Sequence, residues 1–388
     1  MQLHIEPRKV ITWNEFIRTK PKYSIALDGY VYGAPKFKSQ SEELFLSFDP
    51  SLKKPFTEEE RKLDLLTVLE HRARASLGEA GSRFPSEFYQ KAIGSYSPTS
   101  WSLEETQKKI QSLQAELIGG PYANFNHHEE VDRLATRSTS GQVHLAIKQG
   151  LMDSFRPNGR VEGNIYVNDP DQDTCTAYWL LKNYERIEGK KSEPLINRLV
   201  HAEDLQDCTA GAYPFDPLSK LMRELAWVYE PYTNARVSNR VQKMDEYEMR
   251  SVMEAVSGRI SKHVLGQGEE VTPDLRYERI GGGNNWAMVK EIGAQARTKL
   301  FADGIKAFVA VRDNNNGTYI YSIGRMSPYI PFPVDELPDY LNKIEGISAD
   351  ATDKWGGGNT IIGSPRKAGS KQLPTELEKN PNDYLRTK

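Results

Sequence analysis

The chain has 388 residues, 38% hydrophobic, 10% aromatic and 27% charged, which excludes global disorder and suits two compact domains better than one core. Its 51 Lys+Arg and 53 Asp+Glu leave a formal charge of -2, which argues against a dedicated polyanion binder while leaving room for a local basic pocket. Two cysteines, Cys175 and Cys208, exclude a disulfide framework and a cysteine-based zinc cluster, and the polar start MQLHIEPRKV with no long apolar run points to a soluble, cytoplasmic protein without a membrane span.

The first strand expected is Ser24 to Leu27, an apolar run ending in Asp28-Gly29. Such an ending suits a buried strand that carries a carboxylate at its C-terminal end. The next stretch differs in texture. Thr57 and Glu60, then Ser102 and Glu105, stand in capping-box spacing ahead of apolar residues at helical intervals, so 50–118 reads as a helical insertion. From 120 onward strands alternate with helices. PYANFNHHEE is a short strand and polar loop, with a helix from about Ser140. NIYVNDPDQDTCTAYWLLKNYERI is strand, acidic turn and helix, and EPLINRLVHAEDLQD adds a helix leading into further acidic residues. This alternation predicts an α/β fold with a mostly parallel sheet flanked by helices. Residues 220–266 read as mostly helical and 266–274 as a linker. A smaller C-terminal α/β domain is expected over 275–371, with a hairpin turn at 313–317 (DNNNG) and a polar tail over 372–388.

Four segments bring chemistry to one predicted sheet edge. Asn126-His127-His128-Glu129 follows a small apolar run, and adjacent histidines on a loop can send one imidazole to a metal and the other to a substrate oxygen. A solvated histidine pair is the plainer reading. Asn168-Asp169-Pro170-Asp171-Gln172-Asp173 places three carboxylates in five residues, which repel one another unless a cation neutralises them. Helix capping accounts for one aspartate, not all three. His201-Ala202-Glu203-Asp204 would align His201 with Asp204 on a helix and put Asp207 one turn on; by itself this reads as an exposed helix end. Asp28 completes the set, and the carboxyl edge of an open parallel sheet is where ligands bind. Gly356-Gly357-Gly358-Asn359, with Ser364 and Arg366, could bring backbone N–H groups and a guanidinium onto a phosphate. Gly281-Gly282-Gly283 fits the same role or a plain turn. Walker, serine-hydrolase and HExxH signatures are absent.

These residues resemble the DHH superfamily of metal-dependent phosphoesterases. Phe125 to Glu129 looks like its Asp-His-His motif, with Asn126 at the aspartate position. IYVNDPDQDTCTAYWLL is similar to its strand, PDxD turn and alanine-rich helix, matching Asp171 and Asp173 to metal aspartates. IALDGYVYG resembles the strand ending in a bridging aspartate, here Asp28, and Asp204 matches the last metal aspartate. WGGGNTIIGSPR resembles the substrate loop of the smaller domain. The resemblance covers about 20–49 and 120–366. Here the PDxD stretch follows the histidine pair instead of preceding it, and Val167 stands where many members carry a histidine.

The resemblance implies a domain over 1–265 holding two manganese or magnesium ions through Asp28, His127, Asp171, Asp173 and Asp204. His128 and Asp204 would be catalytic, and Asn126, Gly356, Gly357, Gly358, Asn359 and Arg366 would bind substrate. The activity expected is hydrolysis of a phosphodiester or phosphoanhydride, in a short oligonucleotide, a cyclic dinucleotide or a similar phosphorylated molecule. The alternative is a catalytically weakened nucleotide-binding or sensor protein that keeps the cleft. A third reading is an interaction protein whose 50–118 segment mediates assembly, homo-oligomers included.

Overall fold

The computed structural model describes residues 1–12, 15–16, 23–32, 57, 59, 122–128, 131, 135–156, 159–211, 213–238, 240–283, 285–314, 316–348, 351 and 353–382. The helical insertion expected over 50–118 lies outside the described residues, Thr57 and Glu59 excepted.

The N-terminal part holds β1 (Gln2–Ile5), β2 (Ile11–Thr12), β3 (Ser24–Leu27), β4 (Val31–Tyr32), β5 (Tyr122–Phe125) and β6 (Asn164–Val167). Four of them form a sheet in the order β1–β6–β3–β5, every pair parallel. All four residues of β3 are buried, as a central strand covered on both faces requires. Alternation sorts the side chains. Ile25 and Leu27 join Leu3, Ile5, Ile165 and Val167 in one core, while Ala26 meets Phe16, Tyr30, Tyr122 and Tyr166 on the other face.

Helices α1 (Thr139–Lys148), α2 (Gln172–Lys182), α3 (Pro194–Cys208), α4 (Lys220–Val228), α5 (Glu230–Val237) and α6 (Glu246–Val264) build on the first of these cores. Every residue of α2 from Asp173 to Leu181 is buried, because α1, α3 and α6 all pack around it. Because the sheet is parallel, β3, β5 and β6 end on the same edge. β6, though later in the chain, lies between β1 and β3.

The second sheet comprises β7 (Tyr277–Gly282), β8 (Ala287–Glu291), β9 (Ala307–Asp313), β10 (Tyr319–Arg325), β11 (Gly356–Gly357) and β12 (Ile361–Gly363), in the order β11–β12–β10–β9–β8–β7. Only β8 and β9 pair in parallel, and α7 (Ala296–Ala302) connects them. β9 and β10 pair as an antiparallel hairpin, and Gly317, ahead of β10, takes φ 82°. The core gathers Trp286, Val309, Ile323 and Trp355, with Leu341 from α8 (Leu337–Glu345). The segment expected as a polar tail instead packs here as far as Asn382. Leu377 of α9 (Pro374–Leu377) is fully buried, and Glu378 and Asn382 bond to Gly282 N and Trp286 Nε1. No helix among the described residues is long and apolar enough to cross a membrane.

Candidate metal centre and the facing cleft

Each strand end presents its polar residues for a local reason. After β3 the chain turns through Asp28 and Gly29, both left-handed (φ 45° and 75°), and Tyr30 N closes the turn on Leu27 O at 3.2 Å. Two positive φ values at the central positions define a type I′ turn, which Asp-Gly tolerates better than most pairs. After β5, Asn126 Oδ1 accepts from His128 N at 3.0 Å and shapes the histidine loop. After β6, Asp171 caps α2 by accepting from Thr174 N at 2.8 Å. Asp173, inside the first turn, reaches across to the start of α1 and accepts from Thr139 N at 2.6 Å and Ser140 N at 2.8 Å. One aspartate therefore caps a helix that is not its own.

His127 is the hub. Its Nε2 lies 2.8 Å from Asp207 Oδ2, 3.4 Å from Asp28 Oδ1 and 3.5 Å from Asp173 Oδ2, and the ring is fully buried. His128 Nε2 stands 2.6 Å from the same Asp28 Oδ1, with its side chain 34% exposed to the cleft. Thr139 Oγ1 and Thr174 Oγ1 each donate to Asp28 at 3.3 Å. Two triads sharing His127 result, Asp28–His127–His128 and His127–Asp173–Asp207, each with its ligand atoms within 4.8 Å of one another. A carboxylate-rich set with one or two imidazoles suits a divalent ion such as manganese or magnesium, so the residues present fit the expected metals.

The electrostatics point the same way. Burial pushes Asp171 well above the carboxylate range, and Asp28, Asp169, Asp173 and Asp207 add to the shift. Asp173 rises to about 7 through burial and then the charges of Asp207 and Asp28. Burial alone would raise Asp28 too, but the His128 and His127 rings more than offset it and hold that carboxyl well down. Burial would lower His127, yet Asp207 and Asp28 outweigh it and raise the imidazole. The raised carboxyls and the raised imidazole bind protons in the folded state that the unfolded chain would have released. Their stabilisation is present below the ordinary values of 3.8 and 6.5 and is lost as pH rises, for Asp173 through about 7. Asp28 acts oppositely, but only near and below its ordinary 3.8. The metal-free protein should therefore melt at a lower temperature near pH 8 than near pH 5.5, and an added divalent cation should narrow the gap by displacing the protons. A melting temperature that rises between those values without metal would contradict this charge arrangement.

The structure brings Asp28, His127, His128 and Asp173 together and places Asp171 beside them, since Thr174 bonds both Asp171 and Asp28. It does not place Asp204 there, as ligand or as catalytic group. Asp204 Oδ1 accepts from Ser138 N at 2.7 Å and Oδ2 from Arg137 Nη1 at 2.9 Å. The carboxylate is pressed so closely on α1 that a Cβ on Gly141 would meet Oδ1 at 2.8 Å. Asp207, one turn on, faces His127 instead. Asn126 shapes the loop and does not line the cleft. Val167 packs in the core.

Across from the cluster, Gly356, Gly357, Gly358, Ser364 and Arg366 line a cavity of 540 Å³ whose other wall includes Asp28, His128, Asp169 and Asp171. Gly358 N, expected to meet a phosphate, is committed to Ile361 O at 2.9 Å. The glycines thus lend the cleft a wall without side chains. Asn359 is not on that wall; its carbonyl accepts from Arg325 Nε at 2.9 Å. The Gly281–Gly283 segment takes an anion of the protein's own, Gly282 N donating to Glu378 Oε1 at 2.6 Å.

Two features had no signal in the sequence. The α1 start (Ser138, Thr139, Ser140) is recognisable as a cap, but its service to Asp173 and Asp28 is long-range. Asp169, raised by burial, feels the opposing charges of Arg366 and Arg8, and no local pattern marks Arg8 for this. Against known protein families, curated proteins and solved structures, the chain finds no match.

Proposed function

We propose that this protein is a DHH-like, divalent-metal-dependent phosphoesterase that cleaves a phosphodiester or phosphoanhydride in the cleft between its two sheets. One observation carries the reading: buried Asp28, His127 and Asp173 gather with half-buried Asp207 beyond the carboxyl edge of the parallel sheet, and Asp28, His128 and Asp171 line the same 540 Å³ cavity as Arg366. Bound by these side chains, two manganese or magnesium ions would supply concentrated positive charge that polarises a phosphoryl oxygen and acidifies water. The other parts belong to the chain. Asp173 and Asp28 are held in place by Thr139, Ser140 and Thr174, which keeps their oxygens from rotating away. His128, steadied by Asp28 and partly exposed, can donate to a phosphoryl oxygen in the cleft. Arg366 can neutralise the phosphate from the facing wall.

The test uses the full chain stripped of metal and then titrated with manganese, with bis(p-nitrophenyl) phosphate and a 5′-phosphorylated dinucleotide as probes. Turnover that appears with manganese and vanishes with chelator is the expected result. A chain that neither gains thermal stability from manganese nor cleaves either probe would sink the reading. A second reading, a binding protein with a weakened centre, draws on Asp173, whose two oxygens are both already engaged by backbone N–H groups. It predicts dinucleotide binding without turnover at saturating manganese.

A further inference from the structure

The acidic cluster also borders a second cavity, of 260 Å³. Asp171, Asp173 and Asp207 line it on one side, and Arg236 of α5 and Arg297 of α7 on another. A smaller space of 170 Å³ adjoins both it and the main cleft, sharing Arg236 and Arg297 with the second cavity and Arg312 and Ser322 with the first. Asp171 lines both larger cavities, so the acidic cluster borders a trough of adjoining cavities, with Arg366 in one part and an arginine group in another.

That arginine group is built in place. The Arg297 guanidinium lies 5.0 Å from the centre of the Phe308 ring, and its Nε donates to Glu291 Oε1 at 3.0 Å. Gly211 closes over its stem, where a Cβ would touch Cδ at 3.4 Å. Arg236 Nη2 donates to Ala294 O at 2.6 Å, across the junction of the two sheets' domains. Among the described residues no ion pair joins Arg236 or Arg297 to the aspartates. Glu291 is the shared counter-ion: despite burial, its carboxyl is held down by Arg297, Arg236 and Arg312 together. Arg236, Arg297 and Arg312 line one space of 170 Å³ together with Glu291, and positive charge concentrated there favours an anion.

We propose that Arg236 and Arg297, with Arg312 on the side of the main cleft, form a second anion subsite that holds a phosphate other than the one being cleaved. The substrate class is then a linear chain with at least two phosphates, and a lone monoester leaves half the trough unused. This rests on the phosphoesterase reading for what happens at the aspartates, but not for binding at the arginines.

Binding to the full chain tests it, measured calorimetrically with chelator present and again with calcium. The probes are a thymidine dinucleotide with a 5′-phosphate, the same dinucleotide without it, and inorganic tripolyphosphate. Wild type is expected to bind a probe with two or more phosphates about tenfold or more tightly than the dinucleotide with one. Arg297→Gln and Arg236→Gln should each bring that ratio toward one. Arg236→Gln keeps the test sound if loss of the Glu291 partner unfolds Arg297→Gln. A preference shown only by the dinucleotide identifies a nucleotide chain, and one shown only by tripolyphosphate an inorganic chain; both support the subsite. A ratio near one in wild type under both conditions, or a ratio intact in a folded Arg236→Gln, overturns it. If the ratio is present but manganese brings no turnover of any probe, the phosphoesterase reading fails and the subsite stands.

Discussion

Asp207→Asn is expected to remove manganese-dependent stabilisation and to cut kcat/KM on a phosphodiester by at least about a hundredfold, since the partners that merely orient metal ligands already cost about 10- to 100-fold when lost. Asp207 is 2.8 Å from the buried His127 Nε2 and completes one of the two triads. Asp204→Ala should behave differently, although the two residues are three apart on α3. It takes the acceptor from the buried Ser138 N and the partner from Arg137. Leaving that N–H unsatisfied costs about 1–3 kcal/mol, so the variant should melt at a lower temperature while keeping its manganese response. The pair of melting curves, with and without manganese, separates the roles. If Asp207→Asn gains as much from manganese as wild type, or if Asp204→Ala loses the gain entirely, the division of labour on α3 is wrong.

Helical spacing alone does not reveal that division. His201, Asp204 and Asp207 fall at helical intervals, so all that the sequence offers is a shared stripe. Which of them faces the histidines depends on the rotation of α3, and that is set by burial of Ile196, Leu199, Val200 and Ala202. Asp204 is then spent on the start of α1. The strand ends were more legible, because an apolar run that stops abruptly at Asp-Gly or at clustered aspartates marks where a buried strand leaves the core. Parallel pairing then carries every such ending to one edge, whatever the order in the chain. Glycine runs were ambiguous for a physical reason. Gly281–Gly283 and Gly356–Gly358 both supply permissive backbone, yet one packs against Glu378 and the other lines the cleft. Only tertiary placement distinguishes them. Arg236, Arg297 and Arg312 form no motif, being drawn from α5, α7 and β9.

Arg366→Ala should raise KM by about ten- to a hundredfold and lower kcat by much less, the signature of a group that binds ground-state phosphate. Arg366 is exposed on the cleft wall facing Asp171 and His128, and its field is felt at the buried Asp169. Arg366→Lys should recover only part of the loss, because an ammonium lacks the planar fork that meets two phosphate oxygens. The adjoining glycines allow a check that does not involve charge. A Cβ on Gly356 would meet nothing within 4 Å, so Gly356→Leu should fold normally and raise KM by filling the cleft. Gly357 differs: at φ 154° a Cβ would lie 2.3 Å from Ile361 O, so Gly357→Ala should lower the melting temperature. Were the segment a basic surface loop remote from substrate, Arg366→Ala and Gly356→Leu would both keep the wild-type KM at moderate salt. That joint result would remove the facing wall from the site and leave the aspartate and histidine cluster without a phosphate clamp.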